Sequence, residues 1–169
     1  GALVEALLAS GQLDAARVGL LGGGLGGVLV WNTVLGSLAG KVRAAAVLQA
    51  VASLEDIIRD RKFKAPLLKA FGLPADLDDD AAMAAVAAQD PLPRLQRLPV
   101  GTSLPRTAIY HGRQDNYVLP EANAVALADA LRRAGADVTL EIFPEADHFV
   151  LEMGQPIQDR LAAFFGDAL

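Results

Sequence analysis

The chain contains no cysteine, so disulfides, thiolate catalysis and cysteine-based zinc sites are excluded, and cysteine usage says nothing about its redox compartment. It is also short of positive charge, with 15 Lys and Arg against 20 Asp and Glu and a formal net charge of −5. Neither end carries a basic patch. Nucleic acid and anionic membrane surfaces are therefore not expected as partners, while small neutral or cationic ones stay open. Long apolar runs are missing too. The most apolar N-terminal stretch, Ala2 to Ala9, includes Glu5 and lacks basic residues, so it is neither a signal peptide nor a bilayer span. It reads as a short amphipathic helix with Leu3, Ala6, Leu7 and Ser10 on neighbouring turns, stopped by Gly11. The cytoplasm is the default expectation for its location. Histidine is scarce, only His111 and His148, and there is no internal repeat or low-complexity linker.

What the sequence has in quantity is apolar material, 53% of 169 residues, enough for the core of one domain spanning 1–169. Arg17 to Leu21 and Arg43 to Gln49 are short continuous apolar runs of the kind that form strands buried on both faces, separated by a helix over Val28 to Leu38. From Ser53 to Pro105 the pattern turns polar and helical, broken at Pro66, Pro74, Pro91, Pro93 and Pro99, with Asp78-Asp79-Asp80 opening a helix over Ala81 to Ala88. This stretch, 53–105, is expected to be a helical cap insertion. Regular alternation then returns. Thr107 to His111 is a strand, Pro120 to Ala134 a helix stopped by Gly135, Val138 to Phe143 a strand, and Pro156 to Phe165 a final helix. The predicted class is α/β, a parallel sheet of about four strands with flanking helices.

Between the first strand and its helix lies Gly22-Gly23-Gly24-Leu25-Gly26-Gly27. Its GxGxxG spacing and its strand-to-helix context suit a dinucleotide pyrophosphate. That use also wants an acidic residue at the end of the next strand, which instead ends Leu48-Gln49-Ala50. The same corner has the shape of a nucleophile elbow, GxSxG, with Gly24 in the nucleophile slot. A third possibility is close helix-to-strand packing alone. The corner does not choose among the three.

The decisive segments follow the third and fourth strands: His111-Gly112-Arg113-Gln114-Asp115-Asn116-Tyr117-Val118 and Phe143-Pro144-Glu145-Ala146-Asp147-His148. Functional groups in open parallel sheets gather at the strands' C-terminal edge, so Asp115 and His148 can meet each other and the glycine corner. The chemistry suits both types. A histidine takes a proton from a hydroxyl and returns it to the leaving group, and a buried carboxylate fixes the histidine's tautomer. His111 is read as a strand-end residue with local hydrogen bonds, Gly112 as the residue that permits the turn, and Asp147 as a turn residue.

With its order of corner, acid and histidine, the chain resembles the α/β-hydrolase family, particularly its dienelactone-hydrolase-like, carboxylesterase and prolyl-oligopeptidase-like members. The resemblance covers nearly the whole chain. It implies Asp115 as triad acid, His148 as general base, Gly24 in place of the serine nucleophile and the Leu25 backbone N–H as the remaining oxyanion donor. It implies a small-molecule acyl substrate, an ester or related bond, with activity lost or strongly impaired at Gly24; no cofactor and no metal ion is called for. Thr33 and Ser37 lie inside the following helix and offer no replacement hydroxyl; Ser53, at the end of the second strand, is a better-placed candidate but is read first as a helix N-cap. The family places further strands before the elbow, so the fold is expected to be a truncated one, with Arg17 to Leu21 a raw apolar edge seeking a second copy in a homo-dimer or a complementing N-terminal half. A non-catalytic ligand-binding or interaction module and a nucleotide-binding domain are the alternatives.

Overall fold

The computed structural model describes residues 2–59 and 61–169. Leu3, assigned above to the apolar stripe of the first helix, has its side chain outside that description. Four parallel strands lie in the order β1 (Gly19–Gly23), β2 (Ala44–Leu48), β3 (Arg106–Gly112) and β4 (Val138–Phe143). Helices α1 (Ala2–Ala9), α2 (Gly26–Val34), α3 (Leu54–Arg59), α4 (Arg61–Ala70), α5 (Asp79–Val86), α6 (Pro91–Gln96), α7 (Ala126–Ala134) and α8 (Gln155–Ala168) complete the order, with a π turn over Glu121–Val125. This is the α/β fold expected from the alternation of elements.

Strand alternation sorts the core into two layers. Ala45, Val47 and Ile109 face Trp31, Val34 and Leu38 and, from α7, Leu127 and Leu131. Ala44, Ala46, Leu48, Ala108 and Tyr110 face the other way, onto Ile157 and Phe164 of α8. Because β2 is covered on both sides, its five residues are all buried and all apolar. The helix ends follow their local chemistry. The Asp78 carboxylate accepts from the Ala81 N–H at the start of α5, and Gly135 ends α7 at φ 97°.

The segment between β2 and β3 divides. α3, α4 and α5 build a separate apolar cluster through Leu54, Ile57, Leu67, Leu68 and Val86, joined by Val28, Val51 and Val118 from the sheet side. α6 instead sends Leu92 and Leu95 into the cluster shared with α2 and α7. Pro66 lies inside α4 and does not break it, at the loss of one backbone hydrogen bond.

β1 starts and ends two residues later than the apolar run implied, because Gly22 and Gly23 pair with Val47 and Leu48. It hydrogen-bonds only to β2 among the described strands, and Leu21 on it is 54% exposed. No helix among the described residues is long and apolar enough to cross a membrane.

Candidate active site

The six-residue glycine corner is three devices in one. A Cβ on Gly22 would stand 2.6 Å from the Gly26 carbonyl oxygen, and one on Gly27 would overlap the Cβ of Ala50, so these two glycines let α2 pack close to the strands. Gly24 differs. Its φ is 52° and a Cβ built on it meets nothing within 4 Å. Its carbonyl accepts from the Val51 and Gly27 N–H groups at 2.9 and 3.0 Å, which fixes the corner without filling the space in front of it. Leu25 is the N-cap of α2, so its N–H belongs to a helix end with no intrahelical acceptor.

The loops after β3 and β4 are brought together by Gly112. A Cβ there would overlap the backbone carbonyls of Ala146 and Asp147. The approach is held by Arg113 N–H to Phe143 O (2.8 Å) and Gln114 N–H to Ala146 O (2.9 Å). Gly112 therefore serves close contact of two loops, and its φ is not among the positive ones. Asp147 accepts from the Phe149 N–H at 2.8 Å, a turn role, which leaves the next side chain, His148, directed at Asp115. Gly112→Ala is expected to cost about 1–3 kcal/mol by overpacking against backbone that cannot yield. A denaturant midpoint that matched the parent protein would rule this account out.

All four acceptor positions of Asp115 are used. Oδ1 accepts from the Tyr117 and Val118 N–H groups, both at 2.9 Å. Oδ2 accepts from His148 Nδ1 at 2.8 Å and from His111 Nε2 at 3.1 Å. Burial works to raise this carboxyl's pKa, but the hydrogen bonds from His111, His148, Val118 and Tyr117 outweigh it and hold the acid well below the ordinary aspartate value. The network assigns the proton of His148 to Nδ1, leaving Nε2 as its basic nitrogen.

His111 has more to do than its position at a strand end suggested. It is fully buried, and its Nε2–H is shared between Asp115 and the Val118 carbonyl at 2.8 Å. Its Nδ1 has no partner among the described residues. A second imidazole thus bears on the acid from below, while His148, with 22% of its side chain exposed, bears on it from the cavity side.

That cavity, of about 460 Å³, is lined by Gly24, Leu25 and His148 together with Phe63, Pro66 and Tyr117, among others. Apart from His148 and the Tyr117 hydroxyl, its side chains are hydrocarbons. Tyr117 stands edge-on to both Phe63 of α4 and His148, with ring centroids 5.3 and 5.5 Å apart. The helices between β2 and β3 therefore supply one wall, and the glycine corner with the loops that carry Tyr117 and His148 the other. This lining comes from segments too far apart in sequence to be grouped by reading alone. Ser53 caps α3, its Oγ accepting from Asp56 N–H at 3.2 Å. Thr33 lies within α2 and Ser37 just beyond it. Among the described residues no three His, Cys, Asp or Glu side chains cluster as metal ligands would.

A parallel sheet whose C-terminal edge presents a glycine corner, an acid and a histidine in that chain order is the arrangement of the α/β-hydrolase superfamily. The sequence profile of the prolyl oligopeptidase family matches residues 2–169, and the chain belongs to that family. Among solved structures it is similar to a puromycin-hydrolyzing peptidase of Mycobacterium tuberculosis (20% identity, TM-score 0.75, covering 99% of this chain and 24% of that one). It is also similar to dipeptidyl peptidase 4 of Porphyromonas gingivalis (18%, TM-score 0.71, covering 99% and 22%). Acetyl xylan esterase 1 of Thermoanaerobacterium sp. JW/SL YS485 shares 16% identity at TM-score 0.70, covering 98% and 50%. The chain thus spans half or less of the length of each of these proteins. No curated protein matches the sequence.

Proposed function

We propose that the chain is a hydrolase scaffold for esters or related acyl bonds, with Gly24 in the nucleophile position, Asp115 as orienter, His148 as general base and the Leu25 N–H as oxyanion donor. The observation that carries this reading is the 2.8 Å hydrogen bond from His148 Nδ1 to Asp115 Oδ2 beside a cavity that His148 shares with Gly24. Hydrocarbon walls favour a neutral, apolar acyl or leaving group, since a charged one would lose its water there with no counter-ion. Without a hydroxyl at position 24 efficient acyl-enzyme chemistry is not expected, so the activity is strongly impaired as the chain stands. The test is Gly24→Ser treated with a fluorophosphonate. Covalent labelling at position 24 is expected, and a folded variant that is not labelled overturns the reading.

The absent hydroxyl also favours a second reading, a ligand-binding module that keeps the cavity and not the chemistry. It differs in predicting no labelling of Gly24→Ser and ligand binding untouched by His148→Ala. The dinucleotide reading of the corner is not adopted, because β2 is followed by Gln49 and Ala50, with no acidic side chain for a ribose.

A partner at the β1 edge belongs to the same proposal, either a second copy of the chain or a complementing N-terminal half. The outer side of β1, unpaired among the described strands, exposed Leu21 and Leu29 of α2, which is 70% exposed, support it. Light scattering is expected to report a dimer, or binding of an environment-sensitive dye to an apolar surface. A dilute monomer that binds no dye removes the partner from the proposal.

A further inference from the structure

Gly24 does more than lack a hydroxyl. It leaves room. An ideal Cβ at this position would have no atom within 4 Å, and the space opens onto the cavity that His148 lines. We propose that the chain, as it stands with glycine at position 24, hydrolyses small apolar esters by direct attack of water seated in front of Gly24, with His148 as general base. The proposal rests on the roles given above to His148 and Asp115.

Three groups at this cavity have an atom able to attack an acyl carbon or to make another atom do so: the His148 ring, the Tyr117 hydroxyl and water entering from solvent. Asp115 does not compete, because both its oxygens are saturated by four donors. His148 is committed through Nδ1–H to that carboxylate, which leaves Nε2 with a lone pair and stabilises the positive charge the ring takes on when it accepts a proton. Of the three, water is the attacker for which the corner has space. A serine or alanine at position 24 would put its Cβ, and a hydroxyl or hydrogens beyond it, where the glycine puts nothing.

The step balances without a co-reactant. An O–H bond of water breaks, its proton passing to His148 Nε2 as the water oxygen bonds the acyl carbon. The carbonyl electrons move to oxygen, and that oxyanion accepts from the Leu25 N–H. The C–O bond to the leaving group then breaks and Nε2 returns the same proton to the departing alkoxide. Ester and water become acid and alcohol, and no bond to the protein forms at any stage.

The experiment follows p-nitrophenyl butyrate with the unaltered chain, His148→Ala and Gly24→Ala, each checked for folding by its denaturation midpoint. The unaltered chain is expected to turn over without a burst and without an acyl adduct in its acid-quenched intact mass. His148→Ala is expected to lose about 10²-fold or more, the usual contribution of a positioned general base. Gly24→Ala, whose methyl occupies the seat of the water, is expected to lose severalfold while staying folded. A cavity that accelerated hydrolysis by binding alone would leave His148→Ala at the full rate, and that result overturns the proposal. So does an acyl adduct mapped to His148 or Tyr117, or a Gly24→Ala variant as fast as the parent. The scaffold reading fails separately. If Gly24→Ser is labelled by the fluorophosphonate and the unaltered chain shows no His148-dependent turnover, only the water mechanism is lost; if neither occurs, both are.

Discussion

Serine at position 24 is expected to raise ester hydrolysis about 10³-fold or more over the glycine chain, because the nucleophile accounts for most of the rate of a serine triad and, on the function proposed above, Asp115, His148 and the Leu25 N–H supply the other parts. The backbone is already set for it. Gly24 holds φ 52°, a left-handed conformation at which a serine side chain has open space and costs about 1–2 kcal/mol in strain. A burst of p-nitrophenol followed by slower turnover is the expected time course, since an acyl-enzyme now forms and must be hydrolysed. The thermal midpoint is expected to fall slightly as the rate rises. A variant that is folded, strained as described and no faster than the parent would show that the corner is not aimed at the substrate.

Asp115→Asn in that serine background is expected to lower kcat by about 10⁴-fold, by reversing a proton. The new carboxamide would keep its oxygen for the Tyr117 and Val118 N–H groups, which turns its NH2 toward the two nitrogens now served by Oδ2. Two donors would then face donors. His148 would have to carry its proton on Nε2 and so stop being a base. His111 would have to move its proton to a buried Nδ1 that has no acceptor among the described residues, leaving the Val118 carbonyl without its donor. Stability changes with pH in step. The folded-state pKa of Asp115 lies below its ordinary value of 3.8, so the stability it contributes is complete above about pH 5 and is lost as pH falls below that range. Acid unfolding followed by circular dichroism is expected to be less steep in Asp115→Asn than in the parent. An unchanged acid limb would mean that the carboxylate does not hold the fold, and a kcat reduced only slightly that it does not orient the base.

Asp115 and His148 are legible in the sequence because each follows a strand closely, and strand ends of a parallel sheet converge on one edge whatever the register. The part played by His111 is not. Its contact with Asp115 crosses only four positions, but whether a strand residue points at the loop beyond it depends on how that loop folds back. Gly112 serves a different device from the turn its place after a strand suggests, since close approach to another chain segment leaves no local mark that distinguishes it from a turn. The β1 boundary moves because glycine weakens a strand on propensity, whereas Gly22 is here required by the proximity of α2 and Gly23 continues the pairing to Leu48. Asn123 carries no signal in its alanine-rich surroundings. It is fully buried, accepting from the Ala52 and Ser53 N–H groups and donating to Asp56 and to the Leu119 carbonyl.

The Asn123 contacts mark one end of a closed excursion. The chain leaves the sheet at Ala52 and returns at Leu92, whose N–H reaches the Ala52 carbonyl at 3.0 Å, and Asp90 accepts from the Leu54 N–H at 3.1 Å. Departure and return are therefore tied at one place, and the helices between them gather in an apolar cluster that meets the rest of the molecule at Val28, Val51 and Val118. Such an excursion behaves as a cassette. Its length and sequence can change without altering the strand order beneath it, because the closing entropy grows only slowly with length. Phe63, Pro66 and Leu67 travel with it, so exchanging the cassette would replace one wall of the cavity and leave Asp115 and His148 in place. On the function proposed above, the residues that would contact the acyl group from this side and those that would move its proton sit on separate stretches of the chain.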